Sequence, residues 1–149
     1  MQISAVRAAI ARAAQAVVLP DGLPKLTCTG YVPDAVTEPH FFTGEVDVTY
    51  DRAMGRAMDE LQIVCRVLVG RGDDIASQEV LDALLSGGGP ASLKTAIEAA
   101  RGAPGEYALD GLADDLQVMR VQAYRWYEHG SSTYVGAELV IKVIGDGRT

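Results

Sequence analysis

Two cysteines and two histidines are the residues of this chain whose types could support nucleophilic catalysis. A cysteine nucleophile needs a base within hydrogen-bond reach, and neither His40 nor His129 lies in a motif that fixes such a contact. Cys28 and Cys65 occupy apolar positions of strand-like segments, where free cysteines usually pack as small apolar side chains. A reducing cytoplasm, the compartment we expect, also disfavours a disulfide. The pattern therefore favours two unpaired, packed thiols.

Three pairs of adjacent carboxylates could be imagined as metal or general-acid sites: Asp59-Glu60, Asp73-Asp74 and Asp114-Asp115. Adjacent residues on a strand point to opposite faces, and acids at the start of a helix are ordinary caps. We therefore interpret the three pairs as solvated ends of elements. The sequence predicts no metal site and no cofactor.

The segment 67–74 resembles half of a dinucleotide-binding fingerprint, because a strand-like run leads into two glycines. The third glycine of that fingerprint is missing, since Ile75 stands in its place. Asp73 and Asp74 would also repel a pyrophosphate from the backbone amides that should hold it. Nucleotide binding is therefore not expected.

Length and composition indicate one ordinary domain over residues 1–149, with 48% apolar and 22% charged residues. Thirteen basic residues against 20 acidic ones give a net charge of -7, without a basic stripe, which disfavours binding to a nucleic-acid backbone. The apolar runs are too short to span a bilayer, and the first residues lack the pattern of a secretion signal. We expect no membrane partner.

Hydrophobic periodicity predicts an amphipathic helix over residues 3–17 and strands at 26–32, 42–50 and 61–69. Two helices should follow, one over 75–85 with Asp73 or Asp74 as its cap. The second should carry Pro90 in its first turn and end at Gly102.

In the last part of the chain, the sequence predicts a loop over 103–114 and then two strands. The first, over 116–127, changes parity between Val118 and Val121, which indicates a β-bulge. A turn at 130–132 leads into the last strand, whose apolar positions alternate regularly from Val135 to Val143.

This order of helix, three strands, two helices and two strands indicates an α+β domain. We expect a mostly antiparallel sheet of about five strands with helices packed on one face. Such a sheet has two open edges unless it closes, and open edges can accept another chain.

The segment between the second and third strands is longer than a tight turn and repeats Arg-Ala-Met around its central glycine. Flexible methionines mixed with arginines suit adaptable protein contacts, although the methionines could equally pack back onto the core of a solvated loop. The candidate partner-interface residues are Tyr50, Asp51, Arg52, Met54, Gly55, Arg56 and Met58.

Short motifs follow one another over about residues 3 to 144: Tyr50-Asp51, Met54-Gly55-Arg56, Asp59-Glu60, Val67 to Arg71, Gln78, Leu81-Asp82-Ala83-Leu84-Leu85, Ser92-Leu93, Ala96-Ile97-Glu98 and Tyr134-Val135-Gly136-Ala137-Glu138. Their order and spacing resemble the tail terminator proteins of long non-contractile-tailed bacteriophages, particularly those that infect actinobacteria. No single motif is diagnostic. The chain also reads Leu109-Asp110-Gly111 where that family usually has a Leu-Gly-Gly-like turn.

The resemblance implies a structural virion protein without enzymatic activity, assembled in the cytoplasm of the bacterial host. It would form a six-membered ring at the head-proximal end of the tail tube, stop tube growth and join the tail to the head. The implied partners are further copies of the chain, the tail tube protein and a head connector or stopper protein. DNA would pass through without specific binding, past lumen candidates Glu45, Asp47, Asp114 and Asp115.

Two other functions stay open. A different head–tail neck protein or minor tail protein would share the same structural class. A small hydrolase would instead use Cys28 or Cys65 with one of the histidines.

Overall fold

The computed structural model describes residues 1–19, 25–37, 39–50, 58–71 and 75–146. Within these ranges three helices and a five-stranded sheet occur in the predicted order. The elements are α1 (Ile3–Ala14), β1 (Thr27–Thr29), β2 (His40–Thr49), β3 (Met58–Arg71), α2 (Ile75–Leu85), α3 (Leu93–Glu98), β4 (Asp115–His129) and β5 (Ser132–Asp146). The α+β class is confirmed.

The strand order in the sheet is β1-β2-β3-β5-β4, so β1 and β4 lie at its two edges. All neighbouring strands are antiparallel except β1 and β2, which run parallel. β1 is shorter than the predicted strand over 26–32. It ends before Gly30, where a side chain would come within 2.8 Å of the α1 backbone at Ala8. Only glycine allows α1 to approach this closely.

The hydrophobic core lies between the helices and one face of the sheet, which we call the helix-covered face. Alternation along the two central strands directs one apolar set to this face. The set comprises Leu61, Ile63, Cys65 and Val67 of β3, with Ala137, Leu139, Ile141 and Val143 of β5. The helices pack Val6, Ile10, Ala14, Leu81, Leu84, Leu93 and Ile97 against it. Helices on a single face were predicted, and this is confirmed.

The opposite face of the sheet, here the open face, carries the alternate residues of the same strands. β3 places Gln62, Val64 and Arg66 there, and β5 places Glu138 and Lys142. Within the described ranges no helix packs on this face. The mixture of charged and apolar side chains is typical of a sheet face that meets water or another protein.

Three predicted helix boundaries differ from the structure; one of them is the end of α3, which stops at Glu98 and continues as a 3-10 helix over Ala99–Arg101 to the predicted end at Gly102. α1 ends at Ala14 rather than at residue 17, although Val17 is still buried. α3 begins at Leu93, because the Ser92 hydroxyl accepts a hydrogen bond from the backbone N–H of Thr95 at 3.2 Å and so caps the helix. Pro90 precedes this cap and is not in the first turn. The predicted cap residues of α2, Asp73 and Asp74, lie outside the described residues.

The bulge predicted in β4 is confirmed, because the register with β5 shifts between Val118 and Arg120. A second shift, between Gln122 and Arg125, was not predicted. Ala123 has a φ of +53° at this second bulge. The predicted turn follows, with Gly130 at a φ of +64°.

Candidate functional site

The predicted interface segment is described only at its two ends. Tyr50 directly follows β2 and is 73% exposed. Met58 was expected in the loop, but it is the first residue of β3 and pairs with Asp146 of β5. The strand starts earlier than predicted because β5 is long enough to continue the ladder. The other candidates, Asp51, Arg52, Met54, Gly55 and Arg56, lie outside the described residues.

The interpretation of the acidic pairs as solvated ends is wrong for Glu60. This residue lies inside β3, is only 7% exposed, and has its carboxylate 3.6 Å from the Lys142 ammonium on β5. Asp115 begins β4 and receives hydrogen bonds from the Arg101 guanidinium at 2.8 and 3.3 Å. These bonds hold the pKa of the Asp115 carboxyl below its usual value. Both carboxylates therefore have cationic partners.

The four lumen candidates do not form one cluster within a single chain. Glu45 and Asp47 are exposed on β2, whereas Asp114 and Asp115 lie at or next to β4. β3 and β5 separate these strands, which corresponds to about 14 Å between the two acidic groups. These four acidic residues are therefore divided between the β2 side and the β4 side of the strand order.

The open face carries a connected polar network that the sequence analysis did not identify. The Arg66 guanidinium lies 3.0 Å from a Glu138 carboxylate oxygen and 4.3 Å from the centre of the Tyr127 ring. The Gln122 amide donates to the other Glu138 oxygen at 3.2 Å. Arg125 stacks on the same tyrosine ring at 4.8 Å. Alternation could have placed these residues on one face, but only the strand register brings them into contact.

The two histidines lie close together on the open face, around Phe42. The ring centroids of His40 and His129 are 5.8 and 5.9 Å from that of Phe42. The His129 Nε2 lies 2.7 Å from the Pro33 carbonyl oxygen, to which it donates. These contacts give both histidines packing and hydrogen-bonding partners.

Both cysteines lie on the helix-covered face, away from the histidines. Cys65 is fully buried in the core, and Cys28 aligns with Phe41 and packs against the same core. Burial raises the pKa of Cys28 to about 12 and also raises that of Cys65. Both thiols are free, as predicted. The sheet thus lies between each thiol and the histidines, which does not favour a cysteine–histidine dyad.

The described residues show no group of three or more His, Cys, Asp or Glu side chains that could hold a metal ion. A cleft of about 390 Å³ lies beside residues 101–106, where Asp114 and Asp115 form part of its wall. Arg101 binds Asp115 there, whereas Asp114 and Glu106, which accepts a hydrogen bond from the Ala103 backbone N–H at 3.3 Å, also line the cleft.

In the same described ranges, no helix combines the length and apolarity needed to cross a bilayer. No protein-family model matches the chain, and no curated protein is significantly similar to it. Support for a function therefore comes from the motif order and from the charges and contacts of the sheet.

Proposed function

We propose that this chain is a structural subunit of a bacteriophage neck, a tail terminator. In this role, copies form a ring of six at the head-proximal end of the tail tube, end tube growth and join the tail to the head connector. The proposal is supported by the order of motifs over about residues 3 to 144. The α+β fold agrees with what that resemblance implies.

The observation that carries the proposal is the sheet, which in the described part of the chain has helices on one face only and two edges with no further strand beside them. A ring subunit needs two different surfaces for its neighbours and further surfaces for the tube and the connector. Open strand edges and a helix-free face are suited to such contacts. The cysteines and histidines lie on opposite faces, so the geometry favours assembly over hydrolysis as the function.

The experiment is electron microscopy of phage particles produced without this protein. We expect tail tubes of irregular, excessive length that are not attached to filled heads, because nothing ends tube growth. Supplying the intact chain from a plasmid should restore tails of uniform length on full heads, which controls for damage to neighbouring genes.

Other phenotypes would contradict the proposal in different ways. Normal, attached tails would exclude a terminator function. Tubes of uniform length that fail to join the heads would instead indicate a different neck protein, one that acts after tube growth has ended.

A further inference from the structure

The outer edge of β4 is covered by a helix at its start; further along, the Tyr124 hydroxyl donates to Asp82 of α2 at 2.9 Å, but no described strand lies beside the edge. The backbone N–H of Val118 donates to the Glu98 carboxylate of α3 at 3.1 Å, so α3 covers the edge at this point. From Met119 to His129, no other strand of the described chain pairs with this side of β4. An edge of this length presents a row of N–H and C=O groups to another strand.

The other side of the sheet has a second open edge, on β2. Among the described residues, the short strand β1 pairs only with His40–Phe42. In the part of the chain that the structure describes, Val46–Thr49 has β3 on one side and no strand on the other. Each copy of the chain therefore carries two different open edges.

The two edges have opposite charge on the open face. Strand register places Arg120 and Arg125 on this face of β4, and Glu45 and Asp47 are exposed on β2. Arg120 donates to Gln122, and Arg125 stacks on a tyrosine. None of the four charged side chains forms an ion pair within the described ranges. On the open face, the β4 edge beyond Met119 is thus basic and the β2 edge acidic.

The helix-covered side of the same edges is mainly apolar, with the exposed Glu128 of β4 as an exception. Val121 and Trp126 of β4 align with Leu139 and Val135 of β5, yet they are 40% and 50% exposed. On β2 the corresponding positions are Val46 and Val48, both half-buried. Contact between the two edges would remove apolar surface from water on this side while it pairs charges on the other.

Strand direction is also compatible with a contact between β4 of one copy and β2 of another. β2, β3, β5 and β4 alternate in direction, so β4 runs opposite to β2. A second copy that continues the sheet would therefore place its β2 antiparallel to β4 of the first. A symmetric pair of β4 edges would instead bring the arginines of both copies to one contact, where they repel.

We propose that the β4 edge of one copy docks against the β2 edge of a second copy of this chain, with Arg120 and Arg125 facing Glu45 and Asp47. Repeated head-to-tail contacts of this kind close into a ring if the rotation between copies permits. The ring form rests on the proposed function, whereas the edge contact is argued from charge, exposure and strand direction. Glu45 and Asp47 then lie between copies rather than in the lumen.

The test uses two charge-reversed variants of the full chain, one with Arg120→Glu and Arg125→Glu, the other with Glu45→Lys and Asp47→Lys. Sedimentation equilibrium measures their self-association. We expect each variant alone to associate at least about tenfold more weakly than the unaltered chain, because like charges then face each other. An equimolar mixture should assemble again, since each altered edge finds an edge of opposite charge.

The control variant carries Arg12→Glu and Lys25→Glu at exposed positions outside the two proposed contact segments, and it shifts the net charge by the same -4 as the Arg120→Glu and Arg125→Glu variant. It should associate like the unaltered chain. Unchanged thermal unfolding of all variants would show that they fold, as exposed substitutions usually allow.

Three results would overturn the proposal. If the unaltered chain assembles and neither edge variant weakens it, the contact lies elsewhere, and the terminator function is still judged by the tail phenotype. If the unaltered chain stays monomeric at every concentration, or if the mixture fails to assemble, the complementary-edge contact is wrong.

Discussion

His40 is a residue whose protonation state the fold determines. It is 2% exposed, and its Nδ1 accepts a hydrogen bond from the Thr37 backbone N–H at 3.2 Å. The proton therefore sits on Nε2, which donates to the Thr29 hydroxyl at 3.1 Å. Burial, and to a lesser extent the nearby His129, lower the pKa of His40 from its ordinary value of 6.5.

The lowered pKa predicts a pH-dependent stability. Below 6.5 the unfolded chain binds a proton at this histidine more readily than the folded chain. The contribution of neutral, buried His40 to the free energy of unfolding is therefore fully present above pH 6.5. It is lost as the pH falls through the pKa of His40 in the folded state. Urea unfolding at about pH 7.5 and about pH 5.5 should show the loss, and His40→Gln should remove most of it.

A comparison with the variant His129→Gln tests whether the pH dependence of stability comes from His40. The pKa values of the Glu98 and Asp115 carboxyls are lowered. Both groups are therefore already ionised between about pH 5.5 and 7.5, and they contribute little to a change in stability over that range. His129→Gln should retain much of the pH dependence, since His40 stays buried. An equal pH dependence in the unaltered chain and in His40→Gln would show that His40 does not cause it.

Single residues were predictable from the sequence only where burial follows from local pattern. Cys65 alternates with apolar neighbours, which was enough to predict a buried thiol. Glu60 was misassigned because its partner Lys142 is distant in sequence and adjacent only through the register of β3 and β5. The Arg66–Glu138 pair was missed for the same reason.

Among the elements, β4 shows which distortions a sequence can reveal. The first bulge changes the parity of apolar residues, and that change is visible in the sequence. The second bulge involves Ala123 at a φ of +53°, which alanine seldom adopts, so the residue type gives no signal. The bulge is supported by the Tyr127 hydroxyl, which donates to the Ala123 carbonyl at 2.6 Å.

The backbone at Ala123 predicts different effects for two substitutions. Ala123→Val should reduce the free energy of unfolding by about 1–2 kcal/mol, because a β-branched side chain is strained in the left-handed region. Ala123→Gly should change it by less than about 1 kcal/mol, since relief of the alanine strain offsets the greater freedom of the unfolded chain. Urea unfolding measures both. Equal stability of the Val and Gly variants would contradict a left-handed residue here.

For the whole molecule, hydrophobic alternation was sufficient to predict the class, the element order and the single helix-covered face. It could not predict the strand order β1-β2-β3-β5-β4 or the parallel pairing of β1, which depend on long-range register. The separation of basic and acidic edges is a product of that strand order. The proposed assembly surface therefore becomes visible only once the sheet is built.

The charge of the whole molecule leads to the last prediction, that the protein does not bind DNA. The chain has a net charge of -7. Two cations of the open face, Arg66 and Lys142, already face carboxylates, and the proposed contact also occupies Arg120 and Arg125. These four cations of the open face are then not free to displace counterions from phosphates, which is the main source of nonspecific affinity.

A gel-shift measurement at about 20 mM salt gives electrostatic binding its best chance, because screening is weakest there. We expect no retarded duplex for the unaltered chain at any protein concentration that permits assembly. The variant with Glu45→Lys and Asp47→Lys is the matched comparison, since it adds four units of positive charge to one edge and should retard DNA more readily. A retarded band with the unaltered chain that disappears as salt is raised would contradict the prediction that the protein does not bind DNA. Such a band would favour a neck protein that binds DNA, because DNA binding would hinder the passage of DNA through the proposed terminator ring.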